Sequence, residues 1–331
     1  MNKQPSLLIC GSLAYDELFS YSGCIQDHLT NQKAEPLYVN IRAHGPRVRR
    51  GGCGGNIAWT TAQFSIPASV FSWVGGDGGE YIRFLSTHGL DTSQIVIDSE
   101  KSTPRAILLS DNKQDQFLLF SSQEIPSGWK TLKPENCSLA VVTAGVPEKT
   151  SEIVHVLKEK KIPYIIDPGK FILDITREDL LYCINGADTL VVNRYEKELL
   201  IKQMEMSWID LSASVRCAIV TEGEKGSIVA TYSGKERIAA VMPSSLRDPY
   251  GAGDAFLAGY CAGRLLEYTP EWAARIGSVV ASFAVEIDGA QEHTFNADAF
   301  MKRLESAYGK PKKSLSEAYF SVGLPTGSFM A

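Results

Sequence analysis

LAVVTAGVPEKTSEIVHVLKEKKIPYIIDPG (139–169) sets the architecture. Two apolar runs, LAVVTAG (139–145) and YIIDPG (164–169), bracket EKTSEIVHVLKEKK (148–161), whose apolar residues recur at helical spacing. A strand that is apolar on both faces has to be covered on both faces. Such strands alternating with amphipathic helices predict a parallel sheet between helix layers, an α/β fold. The pattern recurs along the chain. SLLICGS (6–12), TLVVN (189–193) and CAIVTEG (217–223) read as further strands, and REDLLYCI (177–184) and RYEKELLIK (194–202) as further helices. Most of the strands end in Gly, Asn or Asp. In sheets of this kind ligands bind beyond the carboxyl ends of the strands, where Ser12, Asp167, Asn193 and Thr221 stand.

Two regions break the alternation. Residues 14–50 contain DELFSYSG and LYVNIRAH, strand-like but without an obvious helix, and TPRAILLSDNKQDQFLLFS (103–121) reads as a hairpin turning at DNKQD. Together they predict a small β-sheet, a lid over the strand ends. We expect one domain over residues 1–308, with lid segments at about 14–50 and 103–121, and a loosely held tail over 309–331.

Composition narrows the class. The chain has 331 residues, 44% hydrophobic and 21% charged, with a formal net charge of −5. That balance argues against a general nucleic-acid or anionic-membrane binder, and RVRR (47–50) reads as a solvated cluster. The seven scattered cysteines form no C-x-x-C, as expected in a reducing compartment. The N-terminus reads as a first strand, not a signal peptide. No run approaches the ~20 apolar residues of a membrane helix. The expectation is a cytoplasmic protein.

Two glycine-rich turns carry the chemistry. In RDPYGAGDAFLAGY (247–260) a turn runs into an apolar helix with Asp254 at the junction. Helix starts attract anions, so Asp254 is either a cap or a reactive group beside a phosphate. GGCGGNIAW (51–59) leads into another helix, with Asn56 as an N-cap or a ligand contact. There is no G-x-x-x-x-G-K-[ST], no G-x-G-x-x-G after the first strand, no G-x-S-x-G and no metal-ligand spacing among the five histidines. Phosphate-friendly turns with scattered carboxylates fit phosphoryl transfer, which works by positioning and charge stabilisation.

These residues resemble the PfkB (ribokinase-like) carbohydrate and nucleoside kinases. GGCGGN, GGDGGEY (75–81), NRYE (193–196), TEGEKG (221–226) and RDPYGAGDAF occur in the family's order over about residues 6–305. The resemblance implies a three-layer αβα, Rossmann-like, mostly parallel sheet with a small β-sheet lid. It implies Asp254 as catalytic base and the backbone N–H groups of Gly251, Ala252 and Gly253 as an anion hole. Asn193 and Glu196 would hold Mg2+ through water, although an acid in a helix's first turn is also plain helix design. Thr221, Gly223 and Gly226 would line the ATP site, and Asp16, Gly52 and Asn56 would bind sugar hydroxyls. Asp248, with carbonyls of EIDGAQ (286–291), would hold a monovalent cation such as K+.

Within the family the chain is most similar to bacterial adenosine kinases. That implies Ser12 and Asn40 near the ribose or base, with Phe120 stacked on the purine or else an ordinary lid-core aromatic. The expected reaction is ATP-dependent phosphorylation of the adenosine 5′-hydroxyl, forming AMP in purine salvage. A ribose or other sugar kinase, another nucleoside kinase and a non-catalytic nucleoside- or sugar-binding module are the alternatives. Ala106, SSQEI (121–125) and the Pro249–Tyr250 pair depart from the adenosine-kinase pattern. A homodimer through a free lid edge is the expected assembly.

Overall fold

The runs read as buried strands are strands. The computed structural model describes residues 5–30, 39–113, 115–121 and 125–311. In chain order the strands are β1 (Leu7–Cys10), β2 (Ala14–Ser20), β3 (His44–Gly51), β4 (Ala68–Gly75), β5 (Asp91–Asp98), β6 (Arg105–Ser110), β7 (Gln116–Ser121), β8 (Leu139–Val142), β9 (Tyr164–Ile166), β10 (Thr189–Asn193), β11 (Cys217–Thr221), β12 (Ser227–Thr231) and β13 (Gly234–Ile238). The helices are α1 (Ile25–Thr30), α2 (Cys53–Ala62), α3 (Gly79–Thr87), α4 (Thr150–Glu159), α5 (Arg177–Ile184), α6 (Arg194–Met204), α7 (Trp208–Ala213), α8 (Ala252–Leu265), α9 (Pro270–Ala284) and α10 (Ala297–Tyr308).

Among the described residues, nine strands form one sheet in the order β13-β12-β11-β10-β9-β8-β1-β4-β5. From β11 to β5 all neighbours are parallel, and β12 and β13 close one side as an antiparallel pair. Both faces are buried, and alternate residues show it. Leu7, Ile9, Leu139 and Val141 pack with Ile57 of α2, Phe256 of α8 and Val280 of α9. Leu8, Cys10, Ala140 and Val142 pack on the other face with Val154 of α4, Leu180 of α5 and Leu200 of α6. Each such Leu, Ile or Val, fully buried, contributes about 1.5–3 kcal/mol. The result is three layers, as expected.

The sheet also positions a cleft. β1 pairs with β4 on one side and β8 on the other. The chain builds outward to β4 and β5 first, then returns to lay β8, β9 and β10 on the opposite side. Strand order reverses at β1, and the crevice off the carboxyl ends of β1 and β8 is left open.

The small sheet has the order β3-β2-β6-β7. The expected hairpin is present, β6 pairing antiparallel with β7. Its turn is held by the Asp111 carboxylate, which accepts the N–H groups of Lys113 and Asp115 at 2.9 Å and of Ile25 at 2.8 Å.

The expectation for residues 37–44 needs correcting. Residues 37 and 38 of LYVNIRAH lie outside the described residues, and Val39–Ala43 form no strand. The strand is HGPRVRRG, paired with β2 through Ala14↔Gly51 and Asp16↔Arg49. Charge and proline belong on an edge strand, where they block further pairing. RVRR is therefore not merely a solvated patch: it forms this edge, and the Arg50 guanidinium sits 3.6 Å from the centre of the Phe84 ring.

All seven cysteines carry free thiols. The described part of the chain has no helix long and apolar enough to cross a membrane. Of the tail expected from residue 309, residues 312–331 lie outside the described residues.

Candidate active site

A cleft of about 880 Å³ lies between the carboxyl ends of β1, β8 and β10 and the small sheet. The structure brings Ser12, Asp16, Gly52, Asn56, Phe120, Asn193, Glu196, Thr221, Gly223, Gly251, Gly253 and Asp254 to its walls. Residues up to 242 positions apart in sequence meet here because every βα turn opens on the same side of the sheet.

α8 starts at the cleft. Its N-cap is Gly251, with φ +81° and no side-chain cap. A β-carbon there would be strained by the left-handed backbone and would stand 3.1 Å from Ala290 Cα. At Gly253 it would meet nothing within 4 Å, so that residue faces open space. One member of the expected anion hole is partly engaged: the Ala252 N–H donates to the Pro249 carbonyl at 3.3 Å.

Asp254 is not the cap of α8; it is the third residue of the helix. Its Oδ2 accepts from Asn56 Nδ2 at 2.7 Å. Burial pushes its carboxyl up to about 6, against the pull of the Asn56 and Cys53 side chains and Lys170. Asn56 is likewise no cap, since Gly52 occupies that position of α2. Asp16 is 5% exposed, and its Oδ1 has no hydrogen-bond partner. Burial pushes it up to about 7; Asp254 adds to the effect and Lys170 opposes it.

Asn193 and Glu196 form a complete capping box at the start of α6. The Asn193 N–H donates to Glu196 Oε2 at 2.8 Å, and the Glu196 N–H donates to Asn193 Oδ1 at 2.9 Å. Helix design is thus satisfied, yet burial still raises Glu196 above the ordinary carboxylate range. Asp167, just past β9, is raised well above that range by burial and then by Glu196 and Asp254.

These four carboxylates, with Glu148 and Asp174, therefore share the cleft with two basic side chains, Arg105 and Lys170. Arg105 is bound to Glu17 at 2.7 Å and Asp77 at 2.8 Å. Lys170, in the 3-10 turn Gly169–Asp174, stands over the rings of Phe120 (5.5 Å) and Tyr250 (5.9 Å). The sequence reading missed it, and its signal was the DPGK that directly follows β9. Phe120 is not a lid-core aromatic: it is 39% exposed and lines the cleft, edge-on to Phe171.

Two expected contacts, Asn40 and Gly226, are not among the residues that line the cleft. Asn40 is exposed in the coil before β3 and does not line the cleft. Gly226 is a left-handed turn residue (φ +84°) packed on the Ile238–Ala240 backbone. Asp248, just before the Gly251–Gly253 turn, accepts the N–H groups of Tyr250 at 2.9 Å and Gly289 at 3.0 Å. That second bond brings the 286–291 stretch beside it.

Comparison with known proteins shows the family. A nucleoside kinase of Methanocaldococcus jannaschii is 29% identical over 314 residues, covering 92% of this chain and 98% of its own. A nucleoside kinase of Methanothermobacter thermautotrophicus is 26% identical, covering 93% and 98%. In fold, the chain matches the Burkholderia thailandensis nucleoside kinase solved with inosine, with a TM-score of 0.80 at 23% identity over 92% of this chain and 98% of that one. The pfkB family carbohydrate kinase model matches residues 16–296, which span both glycine turns, the lid and the Asn193–Glu196 box. With the family model covering most of its length, this chain belongs to the pfkB family of carbohydrate kinases, phosphotransferases that act on hydroxyl groups.

Proposed function

We propose that the protein is an ATP-dependent nucleoside kinase that phosphorylates the 5′-hydroxyl of adenosine, forming AMP for purine salvage. The observation that carries this reading is the Asp16–Asn56–Asp254 group beside the uncapped start of α8 in a single cleft. Asp16 and Asn56 hold the ribose hydroxyls: the partnerless Asp16 Oδ1 is an acceptor waiting for an O–H donor. Asp254 takes the proton of the attacking hydroxyl. The Gly253 N–H and its neighbours at the helix start hold the transferring phosphoryl, at about 3 kcal/mol per well-placed donor. Lys170 balances negative charge as it passes between donor and acceptor.

Glu196 and Asp167 suit Mg2+, because both are carboxylates on the cleft wall, hard oxygen donors whose mutual repulsion a cation would relieve. Bound with ATP, the ion would neutralise phosphate charge. Asn193 would assist through water, Thr221 and Gly223 would line the nucleotide side, and Gly52 and Ser12 the sugar side. Asp248 with the carbonyls of 286–291 remains the place for K+. The homodimer through the lid belongs to the same proposal. Its support is the outer lid face, where Val48, Phe117 and Leu119 are each more than half exposed; a monomer mass by sedimentation equilibrium would remove it.

ADP release with ATP and Mg2+ across a panel of nucleosides and sugars tests the function. Adenosine should react best; faster turnover of a bare sugar would replace the nucleoside reading with a sugar kinase. In the same assay Phe120→Ala should raise the adenosine KM about tenfold, as expected on losing a base–aromatic stack. It should leave the KM of a bare sugar within about twofold.

A further inference from the structure

Behind Asp254 runs a file of buried polar side chains that phosphoryl transfer alone does not require. Asn56 Nδ2 donates to Asp254 Oδ2 at 2.7 Å, and Asn56 Oδ1 accepts from Gln291 Nε2 at 3.0 Å. Gln291 Nε2 also donates to the Tyr81 hydroxyl at 2.5 Å, and the Tyr81 O–H donates to the Gly51 carbonyl at 2.7 Å. Asn56, Gln291 and Tyr81 are 3%, 2% and 1% exposed, so water does not compete for these bonds.

Each bond has only one direction. The Gly51 carbonyl can only accept, so the Tyr81 proton points to it and the phenolic oxygen is left to accept. Gln291 must then present its NH2 group. Asn56 takes that N–H on its carbonyl oxygen, which turns its own NH2 toward Asp254. A peptide carbonyl at the end of lid strand β3 thus sets which face of an amide meets the carboxylate.

Two features show that the file is built, not incidental packing. A β-carbon at Gly55 would overlap the Tyr81 hydroxyl and lie 2.9 Å from Gln291 Nε2, so this glycine of GGCGGN makes room for it. Gln291 Oε1 is buried without a partner, at a cost of about 1–3 kcal/mol. An apolar side chain would avoid that cost if packing were all that mattered.

We propose that Gln291 and Tyr81 are positioning residues for Asp254, holding the Asn56 N–H toward its carboxylate so that the base stays ionised at neutral pH. This rests on Asp254 being the base. The other groups facing Asp254 are the Cys53 thiol of α2, Lys170, Glu196 of α6, Asp16 of β2, Asp167 after β9 and Tyr250 before α8. Substituting Gln291 or Tyr81 leaves all six in place.

The test is the pH profile of kcat in Tyr81→Phe and Gln291→Met. Losing the oriented donor raises the proton affinity of Asp254, so the acid limb should move up by about one pH unit. Turnover at pH 6 should then drop about fivefold, while at pH 9 it stays within about twofold of the parent. An acid limb at its original position, even with a rate lowered uniformly across pH, overturns the proposal and leaves the two residues a structural role only. Tyr81→Phe removes a single hydroxyl and carries the test alone should Gln291→Met not fold. Asp254→Asn in the same assay separates the two ideas. If it keeps turnover, the base reading fails; if it is inactive and the limb has not moved, the relay alone fails.

Discussion

Asp254→Asn should lower kcat by about a thousandfold while substrate binding largely persists, because a positioned general base is worth about 10²–10⁴ in rate. Asn keeps the shape and can still accept from Asn56 Nδ2, but it cannot take a proton. The parent enzyme should also report this group through pH. Burial raises the Asp254 carboxyl from 3.8 to about 6, so the form able to accept a proton prevails above about 6 and is lost as pH falls through that value. In the free enzyme Asp16, raised to about 7, adds a second limb to kcat/KM. Bound substrate donating an O–H to Asp16 favours its ionised form, so kcat should show the limb near 6 alone. Steady-state ADP release between pH 5 and 9, run on both proteins, checks both statements. Unchanged turnover in Asp254→Asn would remove the base assignment.

Lys170→Met should cost about 10²–10³ in kcat, the usual price of removing a preorganised charge or donor from a transition state. Met preserves the apolar stem beside Phe120 and Tyr250, so lost charge rather than lost packing is read. Lys170 holds down the proton affinities of Asp254, Asp16 and Glu196. Its removal should therefore also shift the acid limb upward. A Lys170→Met enzyme with the parent rate and pH profile would show that the lysine only decorates the cleft.

Much of the fold was legible because burial on both sheet faces leaves a direct mark in sequence. β1, β8, β9, β10 and β11 are short apolar runs ending in polar residues, and each was found. β4 and β5 were not. ASVFSWVG mixes serine into its apolar run, and DTSQIVID begins polar because β5 is an edge. The antiparallel β12–β13 pair escaped too, since GKERI is exposed over most of its length. The small sheet was seen, but β3 was misplaced because its strand character comes from pairing with β2, not from apolar content.

The site divides in the same way. Asp254, Asn56 and Glu196 sit in glycine turns or capping patterns that local sequence displays. Tyr81 and Gln291 end the GGDGGEY and EIDGAQ stretches, but their role comes from pairing across more than 200 positions, and Lys170 owes its place to the DPGK bend after β9. Asn40 shows the opposite error, a residue implied by the adenosine-kinase resemblance that the coil before β3 carries outside the cleft.

Asp16 has a further consequence, for how firmly the protein holds together. In an unfolded chain its carboxyl ionises near 3.8; in the folded cleft it does so only near 7. A raised carboxyl leaves stability intact below the unfolded value and erodes it as pH climbs through the folded one. Above pH 7 this one side chain works against folding by about 4 kcal/mol, a large share of the roughly 5–15 kcal/mol that keeps a domain folded. A hydroxyl donated to its lone oxygen relieves that tension. The protein is thus at its weakest when empty, and a substitution that strengthened the empty fold at Asp16 would do so by discarding the acceptor that the sugar needs.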